Sequence, residues 1–202
     1  MDEIVRKAMA KWPDVPHCYG WLALDARGHW RMRDEAAQQH NLPGDKVVHV
    51  ALLAFINRNY LHDAAGRWYF QNGPQRVYVN LEATPYIART DPQQGFVLQT
   101  GSVLEHIQAA WLTGQGQLIL QAGEQVAQVD DRDLAGCLGK LQSNGVTVDD
   151  DALLEWLAQP AGPAPSSPLI LPYRGQRIVL GRLDAESLPA HFGFEQYPQA
   201  SV

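Results

Sequence analysis

Two stretches decide the fold: Trp21-Leu22-Ala23-Leu24-Asp25-Ala26-Arg27-Gly28-His29-Trp30 and Tyr60-Leu61-His62-Asp63-Ala64-Ala65-Gly66-Arg67-Trp68-Tyr69-Phe70. Each reads as an apolar or aromatic strand, a turn with Gly at a left-handed position, and a returning strand, which is a β-hairpin. Asp25, Gly28 and Trp30 form a D-x-x-G-x-W pattern that recurs as Asp63, Gly66 and Trp68. That recurrence suggests duplication.

Two later runs have the same shape. Leu118-Ile119-Leu120 passes Gly123 and returns through Val126 and Val129; Leu169-Ile170-Leu171 passes Gly175 and returns through Ile178 and Leu180. Short hairpins are therefore the building unit. Ser102 to Trp111 fits both a capped helix and a strand, and the Gly114-Gln115-Gly116 turn tips it toward a β-meander from about Ile107 to Val129.

Helical spacing appears in four places. Asp2 to Trp12 forms an amphipathic helix, with Asp2 as cap and Pro13 as stop. Asp45 to Asn57 is apolar on most of its circumference, so it is expected to start at Asp45 and be largely buried, with His49 a core or core-edge residue. Two more helices start at Asp130-Asp131-Arg132-Asp133 and Asp149-Asp150-Asp151, where carboxylates suit the positive end of the helix dipole.

The expected fold is α+β, in two halves built from repeated β-hairpins, as half-barrel-like curved antiparallel sheets each packed with helices. The halves are residues 1–90 and 91–202. The Pro-rich loop at 160–168 falls inside the second half, because the C-terminal segment beyond it is too short for its own core and is expected to return as a hairpin completing the second sheet.

The chain has 202 residues, 46% hydrophobic and 19% charged, and a net charge of −6. That is ordinary globular composition, neither disordered nor coiled-coil. The charge is uneven: eleven Lys/Arg and nine Asp/Glu fall in residues 1–90, five and thirteen in the remainder. A net acidic chain is a poor nucleic-acid partner, since phosphate binding relies on clustered cations. The longest apolar run, Val50 to Ile56, is too short to span a bilayer, so no membrane partner is expected. Cys18 and Cys137 lack the spacings of a disulfide scaffold and read as buried free thiols in a reducing compartment, which implies a cytoplasmic protein.

No metal-ligand spacing, nucleophile elbow, phosphate loop or dinucleotide fingerprint occurs, so neither metal nor cofactor is expected. The densest polar and aromatic run is Asn57 to Tyr60 together with Trp68 to Arg76. Its guanidiniums and carboxamides suit a carboxylate, a phosphate or a peptide backbone. Arg58, Asn59, Gln71, Asn72 and Arg76 are the candidate contacts, at the junction of the halves. The same residues also serve as turn and cap residues: Asn72-Gly73 is a common turn dipeptide, and Arg58 suits a helix C-terminus.

The succession Cys18, Gly20, Leu22, Leu24, Arg27-Gly28-x-Trp30, Leu52-x-x-Phe55, Leu61-x-Asp63-x-x-Gly66-Arg67-Trp68-Tyr69, Val77-x-Val79 and Pro85-x-Ile87 resembles a proteobacterial domain-of-unknown-function family, DUF1285 or a sister of it. The chain departs from that pattern at Gln71 to Pro74 and Leu81 to Thr84. The resemblance implies a two-part α+β fold of repeated hairpins and a signal-transduction or ligand-sensing role; it supplies no catalytic residues. The leading expectation is thus a non-enzymatic module for a small anionic ligand or a protein segment. The alternative is a small hydrolase-like enzyme using His17 or His62 with an acid.

Overall fold

The computed structural model describes residues 1–158 and 168–200. The Pro-rich loop of residues 160–168 therefore lies outside the described residues, except Pro168. Fifteen strands and six α-helices are described, and the strands form two sheets. By contacts the chain divides into one unit of Met1–Pro85, Gln99–Gly101 and Pro189–Val202, and a second of Tyr86–Leu98 and Ser102–Leu188.

In the first unit the six-stranded sheet has the order β3-β2-β1-β6-β5-β4. Its strands are β1 (Cys18–Leu24), β2 (Trp30–Met32), β3 (Asp45–Lys46), β4 (Tyr60–His62), β5 (Trp68–Asn72) and β6 (Gln75–Leu81). Neighbours pair antiparallel except β1 and β6, which run parallel in the middle. The helices are α1 (Glu3–Lys11), α2 (Glu35–Gln39) and α3 (Val50–Arg58).

The two D-x-x-G hairpins close with one hydrogen-bond set. Asp25 Oδ1 accepts from the Arg27 and His29 amides at 3.0 and 2.8 Å, and Gly28 N donates to Asp25 O at 2.9 Å. Asp63 Oδ1 accepts from the Ala65 and Arg67 amides at 3.0 and 3.1 Å, and Gly66 N donates to Asp63 O at 3.0 Å. Gly28 and Gly66 sit at φ 78° and 74°, where a Cβ would be strained.

In the second unit the nine-stranded sheet has the order β13-β12-β14-β15-β9-β10-β11-β7-β8. It comprises β7 (Tyr86–Asp91), β8 (Gly95–Leu98), β9 (Ala109–Thr113), β10 (Leu118–Ala122), β11 (Gln125–Val129), β12 (Gln142–Ser143), β13 (Val146–Thr147), β14 (Ile170–Tyr173) and β15 (Gln176–Leu183). The meander expected from Ile107 to Val129 is present as β9-β10-β11. The expected returning hairpin is β14-β15, and β15 joins β9 in parallel. Helices α4 (Asp131–Leu138) and α5 (Asp150–Ala158) contribute Cys137 and Trp156 to one apolar core with Leu112, Leu120, Ile178 and Leu180. The last helix, α6 (Leu188–Phe192), opens a segment that returns to the first unit, where Leu81 N donates to Gln196 O at 2.8 Å.

The two units repeat one topology. The order β2-β1-β6-β5-β4 in the first matches β8-β7-β11-β10-β9 in the second: a hairpin, then a meander whose last strand lies parallel to the first. The residues match too. Asp63, Gly66, Gln71, Gly73 and Gln75 stand at one constant offset from Thr113, Gly116, Gln121, Gly123 and Gln125. Thr113 Oγ1 takes the Gln117 amide at 3.1 Å where Asp63 takes Arg67, and the side-chain nitrogens of Gln71 and Gln121 donate to Gly73 O and Gly123 O at 2.9 and 3.4 Å.

Five local expectations are corrected. The helix expected from Asp45 begins at Val50, because Asp45 and Lys46 pair with Met32 and Arg31 as an edge strand. Nor is it largely buried: Val50 is 78% exposed and Ile56 is its buried member. His49 is the cap of that helix, not a core residue, and its exposed Nδ1 accepts from Leu52 N at 3.3 Å. Asp2 precedes α1 in extended conformation but makes no side-chain cap; its carboxylate is drawn to Arg58 and Asn59 instead. Of the two thiols, Cys137 is buried and Cys18 half-buried.

Candidate functional site

Strand alternation gives the first sheet two unlike faces. One carries Leu22, Leu24, Phe70, Val79 and Leu81, all buried, and receives Phe55 of α3 edge-on against Phe70 at 5.3 Å. Tyr69, Gln71, Arg76 and Tyr78 share the other face, since Tyr69 pairs with Tyr78 and Gln71 with Arg76.

Aromatic rings and cations interleave there. Tyr19 stacks on Tyr78 with centroids 4.7 Å apart and planes within 7°, while His17 and Tyr69 meet the same ring edge-on at 5.7 and 5.6 Å. Arg67 lies over Tyr78 at 5.1 Å and Arg76 over Tyr69 at 4.7 Å, each satisfying the negative face of a phenol. Tyr78 donates its hydroxyl to Asp63 Oδ2 at 3.0 Å, and the same oxygen takes Arg67 Nε at 2.9 Å. The segment bearing His17 is tied to the sheet by Gln75 Nε2, which donates to Pro16 O at 3.0 Å.

The two arginines differ. Arg67 is ion-paired with Asp63 at 2.8 Å. Arg76 is half-buried, and no carboxylate lies within ion-pair distance of it among the described residues; its hydrogen bond to Tyr78 raises its pKa further. Burial, then Arg76 and Arg67, hold the His17 imidazole below its usual pKa. For Asp63, burial pushes the carboxyl up, but hydrogen bonds from Arg67, Tyr78 and Ala65 outweigh it and the net direction is down. The cluster thus presents a neutral imidazole and one guanidinium without an ion-paired carboxylate among the described residues, on a tyrosine floor. Farther along this face Asn80, Asp25 and Arg31 line a cavity of about 230 Å³.

The five residues expected as contacts separate. Arg76 lies in the cluster. Gln71 stands opposite it in the ladder but is wholly buried, and its amide shapes the Gly73 turn. Asn72 is exposed and alternates to the other face. Arg58 reaches Asp2 at 3.3 Å, and Asn59, fully buried, donates to Phe55 O at 2.9 Å while accepting from Asp2 N at 2.8 Å. Both tie the start of α1 to the end of α3. His17, Tyr19, Arg67, Tyr69 and Tyr78 enter the cluster without having been expected as ligand contacts; the signal for them was the alternation of Tyr69 and Gln71 on one strand and Arg76 and Tyr78 on the next.

Of the two histidines weighed for a hydrolase, His17 lies in this cluster; His62, and His29 of the first hairpin, have other surroundings. His62 Nδ1 lies 3.1 Å from the Asp63 carbonyl, and its ring is 4.8 Å from Trp68. His29 Nδ1 meets the Asp25 carboxylate at 3.2 Å, but that carboxylate also takes Arg31 at 2.8 Å and two backbone amides, as a turn anchor. Among the described residues there is no group of three or more His, Cys, Asp or Glu side chains that could hold a metal ion, and no helix long and apolar enough to cross a membrane.

The family model DUF2944, described as "Protein of unknown function (DUF2946)", matches residues 1–199. The chain belongs to this family. Two crystal structures of DUF1285 family proteins, the family that the motifs between Cys18 and Ile87 resemble, are similar to this member of the DUF2944 family. The one from Silicibacter pomeroyi DSS-3 has 13% identity and a TM-score of 0.47, covering 93% of this chain and 98% of its own. The one from Shewanella baltica OS155 has 11% identity and a TM-score of 0.40, covering 57% and 88%. No curated protein matches the chain.

Proposed function

We propose that the first unit is a non-enzymatic binding module whose tyrosine-lined sheet face takes a small anionic ligand, with Arg76 as its main contact, in a cytoplasmic sensing or regulatory protein. The observation that carries the reading is Arg76 itself: a half-buried guanidinium, spread on Tyr69, with no carboxylate partner among the described residues. A guanidinium offers a planar fork that matches a carboxylate or phosphate. His17 stands at the same tyrosines to add a hydrogen bond, and Arg67, its charge already met by Asp63, flanks them. Asn72, exposed on the adjoining turn, is a rim contact at most, while Gln71 holds the turn in shape.

The test follows the Arg76 Nε–H and His17 ring signals by NMR while the full chain is titrated with succinate or inorganic phosphate. Saturable movement of both signals is expected at millimolar concentrations, with the His17 titration midpoint rising as the bound anion offsets the arginine field. Arg76→Ala should remove the His17 response. Signals that stay in place in the wild type, or a His17 response unchanged in Arg76→Ala, would overturn the proposal.

A further inference from the structure

Strand β15 carries Ile178, Leu180 and Arg182 on one face by alternation, and the first two belong to the core of the second unit. Register fixes Arg182 beside Leu112 of β9, itself wholly buried. On the opposite face a Cβ at Gly181 would meet Trp111 at 2.6 Å, so the bare glycine lets the indole lie across the strand. The Arg182 guanidinium ends over the Trp156 ring of α5, 5.6 Å from its centroid.

In that position Arg182 Nε and Nη1 are sealed from solvent and have no hydrogen-bond partner among the described residues, and neither has the buried Trp156 Nε1. A guanidinium stays charged in a protein, and its hydrogens lie in the plane of the group. The indole face below offsets part of the charge but accepts none of those in-plane hydrogen bonds. No carboxylate lies within ion-pair distance of Arg182 among the described residues. The chain houses another buried arginine quite differently: Arg33, 8% exposed, gives Nε to Leu42 O at 3.0 Å and Nη2 to Ala37 O and Asn41 Oδ1 at 3.4 and 3.3 Å. Arg33 is buried with acceptors; Arg182 Nε and Nη1 have none among the described residues.

We infer that Arg182 and Trp156 form an oxyanion site in the second unit, separate from the Arg76 cluster, that takes a carboxylate or phosphate group. The residue as a whole is only half-buried, so its cover is incomplete, and an oxyanion admitted to the guanidinium plane supplies the acceptors that Nε and Nη1 lack. The indole N–H of Trp156 is a further buried donor without an acceptor among the described residues.

The experiment titrates the full chain, ¹⁵N-labelled, with inorganic phosphate in one arm and acetate in the other, following the Trp156 indole N–H and Arg182 Nε–H. Trp156→Phe identifies the indole signal. Saturable movement of both signals is expected, with the tighter arm naming the oxyanion. A ligand tenfold above its Kd should also raise Tm by about 3–6 °C. In Arg182→Met the Trp156 response should vanish while the His17 response to anion remains, which separates this site from the one around Arg76. Replacing a buried unpaired charge by an apolar chain of similar length is well tolerated, so that variant should fold. Wild-type signals that do not move in either arm, or a Trp156 response that survives in Arg182→Met, would overturn the inference.

Discussion

Replacing Asp63 by Ala perturbs the turn and the tyrosine cluster together. Its side chain is 11% exposed. Oδ1 closes the turn on the Ala65 and Arg67 amides; Oδ2 takes the Tyr78 hydroxyl and Arg67 Nε. Losing a side-chain acceptor for turn amides costs about 1 kcal/mol, by analogy with helix caps. Leaving the Tyr78 hydroxyl hydrogen without its acceptor, on a residue 1% exposed, costs about 1–3 kcal/mol more. The ion pair adds about 0.5 kcal/mol. Together these give about 2.5–4.5 kcal/mol for Asp63→Ala, using the same typical magnitudes. Thr113→Ala, at the equivalent turn of the second unit, removes the acceptor for one backbone amide and a side-chain contact to Gln117, and should cost about 1 kcal/mol.

Urea unfolding at neutral pH, with hydrogen exchange of the Ala65 and Arg67 amides to localise the effect, measures both. The pH dependence has a definite sign. The Asp63 pKa is depressed in the folded protein, so its contribution is present above the unfolded carboxyl value near 4 and is lost as pH falls through the lower folded value. The gap between wild type and Asp63→Asn, which keeps Oδ1 but not the charge, should therefore narrow in acid. An Asp63→Ala loss no larger than that of Thr113→Ala, or a gap that widens as pH falls, would refute the reasoning.

Gly66→Ala should destabilise the first unit by about 2–4 kcal/mol, since φ is 74° and a Cβ would collide with Gly193 O; Gly73→Ala, at φ 57° with open space, should cost only about 1 kcal/mol by urea titration. Tyr173→Phe should cost about 1–3 kcal/mol and raise exchange at the Phe96 amide, because the hydroxyl accepts from Phe96 N and donates to Leu104 O, both at 3.1 Å. Burial pushes the Cys137 thiol up to about 11, so a disulfide reagent at pH 8 should leave it unmodified in the folded chain and titrate it in urea.

The limits of sequence reading show in particular residues. The D-x-x-G turns were legible because a left-handed glycine after a side-chain acceptor is a local requirement, met within five residues. The broader repeat was equally present, as Gln71-x-Gly73-x-Gln75 and Gln121-x-Gly123-x-Gln125, but its strands differ in composition and a comparison by pattern passes over it. The α3 start was misplaced because Asp45 looks like a cap in isolation; its pairing with Met32, remote in sequence, decides otherwise.

For the candidate site, sequence established the residue types and the absence of catalytic motifs, and it named Arg76 as one of five candidate contacts. Asn59 and Arg58 were inseparable from it by composition; only the fold places Asp2 beside them and spends their polar groups on a structural tie.

Local chemistry, then, determined the hairpins, the helix-starting carboxylates and the α+β class, because turns and caps depend on near neighbours. The tertiary structure decided the parallel pairing of β1 with β6, the return of the last segment to the first unit, and which guanidiniums find acceptors. Each of these depends on residues far apart in the chain, and a lone arginine in sequence looks the same whether or not a carbonyl awaits it.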